Sequence, residues 1–235
     1  MKSLMVACLA MVVTGPIAAQ TPIPTTTPTP PEEVYRSEAR IGVTSMSLQR
    51  FSAIDGAGTA TGAMTLTGLE LFARAENIGI YAWTISGTST ASGQGLAGHF
   101  ALREVRLILG DRTFSPEVGI MRRTTSTDAD SERTIYRAGL RSQWEIGGSG
   151  VQVTLSGGVY LSKVAESGGS SFKVTGLAGE ATLLYQAPRG LPLYALAGWR
   201  YERFDDYAGG PERSEANSGP FFGIGLRLGG RPVLR

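Results

Sequence analysis

The chain has 235 residues, of which 32 are glycine, and only 18% of its residues are charged. Its 22 Lys plus Arg residues nearly balance its 20 Asp plus Glu residues, so the charge gives no reason to expect a nucleic acid as partner. The single cysteine and the single histidine exclude a disulfide framework, a CxxC redox pair and a zinc site built from several Cys or His ligands.

Residues 1–19 predict a secretory signal peptide. Lys2 supplies the positive charge, residues 4–13 form a short apolar core, and residues 16–19 offer a small-residue cleavage site after Ala19. The apolar run is shorter than the roughly 20 residues that a membrane-spanning helix needs. Cys8 lies inside this segment, so we expect the exported chain to contain no cysteine.

Residues 20–34 predict a linker. This stretch contains five prolines and five threonines, a composition that favours extended polyproline II structure and cannot build a core.

From residue 35 onward, apolar residues alternate with polar ones. In 151–161 the odd-numbered positions are mostly apolar and the even-numbered ones polar or small, which is the period of a strand with one apolar face. The same pattern predicts ten strands, at 37–50, 63–74, 78–88, 98–109, 113–124, 134–146, 150–162, 172–185, 192–204 and 219–228.

The connections between these strands alternate in length. Four are short, at 75–77, 110–112, 147–149 and 186–191, and five are longer, at 51–62, 89–97, 125–133, 163–171 and 205–218. Most of the strands reach the roughly 9 to 11 residues that a tilted strand needs to cross a bilayer. The pattern predicts an all-β fold, a single closed antiparallel up-and-down transmembrane β-barrel of about ten strands, with eight as the alternative. Both termini and the short turns are expected in the periplasm.

A water-soluble barrel would show the same alternation turned inside out. Arginine, not lysine, accompanies glutamate on the polar face, since the only lysines are Lys2, Lys163 and Lys173, and this suits a confined lumen better than a solvated exterior. Aromatic residues on the apolar face also fall near strand ends, as two girdles require. They are Tyr136, Trp199 and Tyr201 on the loop side, and Trp144 and Tyr185 on the turn side.

The last predicted strand carries Phe222, Ile224, Leu226 and Leu228 on its outward face. This pattern is similar to the C-terminal strand signal that the barrel assembly machinery reads, although residues 229–235 follow it. Over 35–228 the chain resembles the small bacterial outer-membrane β-barrel proteins, a porin-like group that includes OmpA-like and OmpX-like transmembrane domains. The resemblance implies an outer-membrane location, with lipid and lipopolysaccharide as surroundings, and no single activity. The expected domains are a signal peptide (1–19), a linker (20–34), the barrel (35–228) and a short tail (229–235).

Charged residues on the inner face form the candidate site. We predict a lumen charge network of Glu70, Arg74, Glu104, Arg106, Glu117, Arg137, Arg141, Glu145, Glu180, Arg200, Glu202 and Arg227. Isolated charges in a narrow lumen are unfavourable, so Arg106 is expected to pair with Glu117, and Arg200 with Glu180. The network can be a packed ionic filling or a selectivity constellation of a pore. The small bore of a ten-stranded barrel favours the filling.

Catalytic and metal-binding candidates are few. His99 and the acids Asp55, Asp128, Asp130, Asp205 and Asp206 fall near the loop end, and the sequence around His99 matches no protease motif. Asp128, Asp130 and Glu132, or Asp205, Asp206, Glu212 and Glu215, carry the oxygen ligands that calcium prefers, but arginines interleave with them. We expect no catalytic residue, no metal and no cofactor.

The sequence thus predicts an integral outer-membrane barrel with a charge-filled narrow lumen and a structural or surface-interaction role. A narrow porin-like channel for small solutes or ions is the alternative, and an outer-membrane barrel enzyme is the third hypothesis. We expect that the chain is not an enzyme.

Overall fold

The computed structural model describes residues 37–228, with gaps at 55–57, 90–97, 127–130, 148, 167–168, 188–190 and 207–212. The predicted signal peptide, linker and C-terminal tail lie outside the described residues. In the described part of the chain, no helix has the length and apolarity needed to cross a membrane.

Ten strands make up the described fold. They are β1 (Glu38–Ile54), β2 (Gly58–Ala75), β3 (Ile78–Ser89), β4 (Gly98–Leu109), β5 (Ser115–Ser126), β6 (Ser131–Ile146), β7 (Val151–Glu166), β8 (Gly169–Gln186), β9 (Leu193–Asp206) and β10 (Arg213–Leu228).

Each strand pairs with its sequence neighbours, and β1 also pairs with β10, so the sheet closes into a barrel. All ten pairings are antiparallel. The predicted closed up-and-down architecture is confirmed, and the strand number is ten, not eight. We call the end that holds the connections β2–β3, β4–β5, β6–β7 and β8–β9 the turn end, and the opposite end the loop end.

Tight turns at the turn end depend on residues that accept a left-handed backbone. Glu76 has φ 51°, and Gly110 and Gly150 have φ 93° and 78°. In the turn between β4 and β5, the carboxylate of Asp111 accepts a hydrogen bond of 2.6 Å from the backbone N–H of Phe114. This turn takes up residues 110–114, so β5 begins at Ser115 and not at the predicted residue 113.

The strands extend further toward the loop end than predicted. The expected connection at 51–62 is mostly strand, with Phe51 opposite Thr61, and only three residues separate β1 from β2. The connection expected at 163–171 is likewise reduced to residues 167–168. These Ser-, Thr- and Gly-rich stretches form strands because pairing satisfies their backbone groups, although they lack a strong apolar alternation.

The face that carries the apolar side chains changes along β1, β2 and β4, from the outward face near the turn end to the inward face near the loop end. Toward the turn end the exposed outward residues are apolar and include Val43, Leu69 and Val105. Toward the loop end the next outward residues are polar and exposed, namely Ser45, Thr67 and Arg103. Most of the buried inward residues there are apolar: Met46, Leu48, Met64, Leu66, Phe100 and Leu102. The outward apolar zone, which we call the apolar band, therefore covers only part of the strand length.

Candidate functional site: a charge-filled lumen

Strand alternation directs the charged residues of the turn-side and middle parts of the barrel into the lumen. Seven of them, on β4 to β6, β8 and β9, contact one another at mid-barrel and form what we call the central cluster: Glu104, Arg106, Glu117, Arg137, Glu180, Arg200 and Glu202. All seven side chains are buried. Three arginines face four glutamates in this cluster.

One ion pair of the central cluster spans the whole bore. Arg200 on β9 donates to Glu104 on β4, with 2.7 Å between Nη2 and Oε2. These two strands lie five apart in either direction around the ten-stranded barrel, which is the largest separation possible. The two side chains therefore meet across the bore, and each is at most 2% exposed.

Arg106 joins the neighbouring carboxylates. Its guanidinium donates to both oxygens of Glu104, at 2.8 and 2.9 Å, and to Glu180 at 2.9 Å. The predicted partner Glu117 is 3.9 Å away. The register explains this, because Glu117 lies opposite Ile108, and Arg106 lies opposite Gly119. The predicted ion pair with Glu117 is thus present but long, and the hydrogen-bond partners of Arg106 are Glu104 and Glu180.

Arg200 has stronger partners than the predicted Glu180. Glu180 lies directly across from Arg200 in the β8–β9 pairing, but their closest approach is 3.4 Å. Arg200 Nε also donates to Glu202 at 2.6 Å, and the Tyr160 hydroxyl donates to the same carboxylate oxygen at 2.8 Å. The Arg200 guanidinium lies 4.8 Å from the Trp83 ring centre, so an aromatic face completes its contacts.

Arg137 and Glu117 form the β5–β6 side of the central cluster. Their Nη2 and Oε1 atoms are 2.7 Å apart. Ser156 bridges them, because its hydroxyl donates to Glu117 at 2.7 Å and accepts from Arg137 at 2.6 Å. A small polar residue on β7 thus contributes hydrogen bonds to the cluster.

A second ionic group, the loop-side cluster, consists of Arg50, Arg123 and Glu215. Arg50 donates to both carboxylate oxygens of Glu215, at 2.8 and 3.2 Å, and Arg123 on the opposite strand β5 also bonds to Glu215. Both guanidinium groups stand over the Phe100 ring, at 5.8 and 5.3 Å. The lumen is therefore spanned a second time nearer the loop end.

The sequence did not predict that Glu215 belongs to a cluster inside the barrel. The sequence assigned this residue to an external loop, among acids considered as calcium ligands, because the stretch before Gly219 carries no apolar alternation. In the structure β10 begins at Arg213, so Glu215 falls on an inward strand position and is buried. The inward position of Arg50 follows from the same strand parity that buries Met46 and Leu48.

The remaining predicted network residues lie toward the turn end and do not join the central cluster. Glu70 accepts a hydrogen bond from the Tyr194 hydroxyl at 3.1 Å, and Arg141 lies 5.6 Å from the Phe72 ring centre. Arg74 donates to the backbone carbonyl of Gly110 at 2.5 Å, and Arg227 to the Gln186 side chain at 2.7 Å. Glu145 is exposed at the rim, where the strand leaves the enclosed part of the lumen. Its inclusion in a buried network was wrong.

The outward residues of β10 occupy the predicted face. Phe222, Ile224, Leu226 and Leu228 are 47 to 66% exposed on the outer wall. His99 is also exposed, and it lies opposite Thr88 and Ser126 in the two neighbouring strands. Asp55, Asp128 and Asp130 lie outside the described residues, and among those that are described, no group of three metal-ligating side chains occurs.

Solved structures that resemble this chain are small bacterial outer-membrane β-barrels. Neisserial surface protein A is 14% identical, with 77% of this chain and 95% of that chain covered and a TM-score of 0.39. The outer membrane protease OmpT from Escherichia coli is 10% identical, with 85% and 97% covered and a TM-score of 0.45. OprG from Pseudomonas aeruginosa is 13% identical, with 83% and 97% covered and a TM-score of 0.32. No protein-family model and no curated protein matches the chain.

Proposed function

We propose that this chain is an integral outer-membrane β-barrel with an ionically closed lumen, and that it serves a structural or surface-interaction role. The membrane assignment is supported by the outer wall. All ten strands expose large apolar side chains there, among them Ile41, Leu71, Ile80, Leu107 and Val118. A soluble monomer rarely exposes a contiguous apolar patch above a few hundred Å².

Aromatic residues support the same proposal. Trp144 and Tyr185 are exposed on the outward face near the turn end, while Tyr136, Trp199 and Tyr201 are exposed nearer the loop end. Amphipathic rings in two girdles suit the two membrane–water interfaces.

The main support for a closed lumen is the hydrogen bond from Arg200 to Glu104 across the barrel. Arg106 donates to the same Glu104 carboxylate. Loop-ward of it, the buried Phe100, Leu102 and Leu66 fill the same bore with apolar side chains. A conducting path requires a continuous polar channel. The ion pair across the bore obstructs such a channel, and the apolar side chains next to it interrupt its polar lining. The proposal includes no catalytic step.

Export and assembly complete the proposal. The signal peptide would carry the chain to the periplasm, and the outward side chains of β10 would present the strand signal to the barrel assembly machinery. Lipid and lipopolysaccharide would then surround the apolar band.

The membrane part of the proposal is tested by refolding the protein into phospholipid vesicles. The protein should float with the vesicles in a density gradient, and boiled and unboiled samples should migrate differently on a detergent gel, because a closed hydrogen-bonded barrel resists mild detergent. The loaded vesicles should also retain an entrapped small dye. Recovery in the soluble fraction, or identical migration of the two samples, would contradict the membrane barrel, and rapid dye release would contradict the closed lumen.

A further inference from the structure

Two arginines inside the barrel, near its turn end, donate no hydrogen bond to any residue that the structure describes. Arg40 on β1 and Arg141 on β6 are both buried, with 6% of each residue exposed. The Nε atom of each is enclosed and has no acceptor among the described residues. By contrast, the buried guanidinium groups of Arg106, Arg137 and Arg200 lie 2.7 or 2.8 Å from carboxylate oxygens.

Both of these guanidinium groups lie against one aromatic ring. The Cζ atom of Arg40 is 4.4 Å from the centre of the Phe72 ring, and that of Arg141 is 5.6 Å from it. Arg40 lies opposite Phe72 in the strand register, whereas Arg141 reaches the ring from β6, four strands away around the barrel. A ring attracts the guanidinium as a cation but accepts none of the in-plane N–H bonds that a fork of oxygens accepts. Phe72 therefore brings two sets of unused donors to one level of the bore.

The acid nearest to Arg40 in sequence does not satisfy its donors. Glu38 Oε1 lies 3.5 Å from Arg40 Nε, and neither Glu38 oxygen accepts a hydrogen bond from a described residue. Glu38 also forms an ion pair with Arg112 at 3.3 Å. The contact with Arg40 is thus a shared and long ion pair without a hydrogen bond.

The other acids near this level are bound by other groups. Glu70 accepts a hydrogen bond from the Tyr194 hydroxyl at 3.1 Å. Glu180 attracts Arg141 without forming an ion pair with it, and its carboxylate accepts from Arg106 at 2.9 Å. A buried donor without an acceptor is unfavourable, and buried polar groups without a partner point to a bound ion or water.

The chemistry of the donors indicates the class of ligand. Guanidinium forks match the oxygen atoms of phosphate and related oxyanions. Water accepts hydrogen bonds but carries no negative charge to set against the two guanidinium groups. Arg40 lies two residues from Glu38, where β1 begins at the turn end, so a ligand reaches the site from that end. Since both arginines point inward and are only 6% exposed, the ligand must be small.

We propose that Arg40 and Arg141 bind a small oxyanion of the size of phosphate, which enters the lumen from the turn end. The proposal goes beyond the structural role proposed above, because it gives the inside of the barrel a ligand. It requires no open channel, since the site lies on the turn side of the central cluster.

The test is isothermal titration calorimetry of the refolded, heat-modifiable protein with inorganic phosphate in a phosphate-free buffer. Sodium chloride at matched ionic strength is the comparison salt. The variants are Arg40→Gln, Arg141→Gln and the double variant. Arg203→Gln is the control, because Arg203 is an exposed arginine on the outer wall and is paired with Asp205 at 3.3 Å.

Wild type is expected to bind a single phosphate, and the double variant to bind it at least about tenfold more weakly, because charge-assisted hydrogen bonds are lost. The single variants should show smaller losses, and Arg203→Gln none. Arg141→Gln should remain heat-modifiable without phosphate, because it loses no hydrogen bond to a described residue. Absence of saturable binding by wild type, an equal response to chloride, or an unchanged affinity in the double variant would overturn the site.

Thermal protection gives a second readout that needs no variant. Phosphate that binds only the folded barrel should raise the temperature at which wild type loses its folded form on a detergent gel. Chloride at the same ionic strength should not. Equal shifts with the two salts would show that no oxyanion site exists.

Discussion

Removal of Glu104 should destabilise the barrel more than removal of any other single lumen carboxylate. Glu104 accepts three hydrogen bonds, two from Arg106 and one from Arg200, and Arg137 Nη1 lies 3.7 Å from it. The Glu104→Ala substitution would leave three buried guanidinium groups facing fewer anions. Breaking a buried pair by deleting one partner costs about 3–5 kcal/mol. We therefore expect the free energy of unfolding to fall by at least that amount.

The measurement is equilibrium unfolding by guanidinium chloride in lipid vesicles, followed by tryptophan fluorescence. Glu145→Ala is the control, because Glu145 lies exposed at the rim of the same barrel and should change stability by less than about 0.5 kcal/mol. A double-mutant cycle of Glu104→Ala with Arg200→Ala should give a coupling energy near the upper end of the usual range of about 0.5–3 kcal/mol. The cycle of Glu180→Ala with Arg200→Ala should give less, because that pair is 3.4 Å apart and each member has a nearer partner. If Glu104→Ala were as mild as Glu145→Ala, the ionic filling would have no structural importance.

Three further predictions concern the wall and its orientation. Leu155→Arg, on the apolar band, should lower the free energy of unfolding in bilayers by about 2–4 kcal/mol. Thr65→Arg, which faces outward but lies beyond the band, should be nearly neutral. Equal effects of the two variants in unfolding experiments would contradict the position of the band. Gly68→Ala should destabilise the barrel by about 1–3 kcal/mol, because its Cβ would lie 1.7 Å from the Thr84 carbonyl oxygen. Gly179→Ala, whose Cβ would meet no atom within 4 Å, should leave stability unchanged. The reverse order of the two effects would contradict the close strand packing at Gly68. An epitope tag inserted between Asp206 and Arg213 should bind antibody on intact cells, and one inserted at Arg112 only after permeabilisation; labelling of the second on intact cells would invert the topology.

Strand alternation made the fold predictable from the sequence. A period of two fixes which side chains share a face, so Leu155 was expected outward and Ser156 inward, as the structure has them. The antiparallel order was expected from an alternation of short and long connections, but that alternation was wrong in part, because only three residues separate β1 from β2 and two separate β7 from β8. The loop-side extent of the strands was not predictable in the same way, because the apolar residues of β1 shift from odd positions, such as Val43, to even positions, such as Met46. The shift occurs without a bulge, because Val43 is exposed on the outer wall whereas Met46 packs inside the barrel.

The ionic partners were harder to predict than the faces. Sequence spacing identifies neighbours across a short turn, and it brought Glu180 and Arg200 together. Contacts across the bore depend on strand number and on the register of every pairing between the two strands. For that reason the pairing of Glu104 with Arg200, and of Arg123 with Glu215, could not be derived from either segment alone.

Closure of the lumen is tested most directly by the conductance of the refolded, heat-modifiable protein in a planar lipid bilayer. Wild type is predicted to insert without producing channels, because Arg200 and Glu104 meet across the bore and Arg106 joins them. The Arg106→Ala/Arg200→Ala variant should give measurable ion currents if it remains folded, since it removes the two guanidinium groups that hold the carboxylates together. Steady single channels from wild type would contradict the account of a closed barrel.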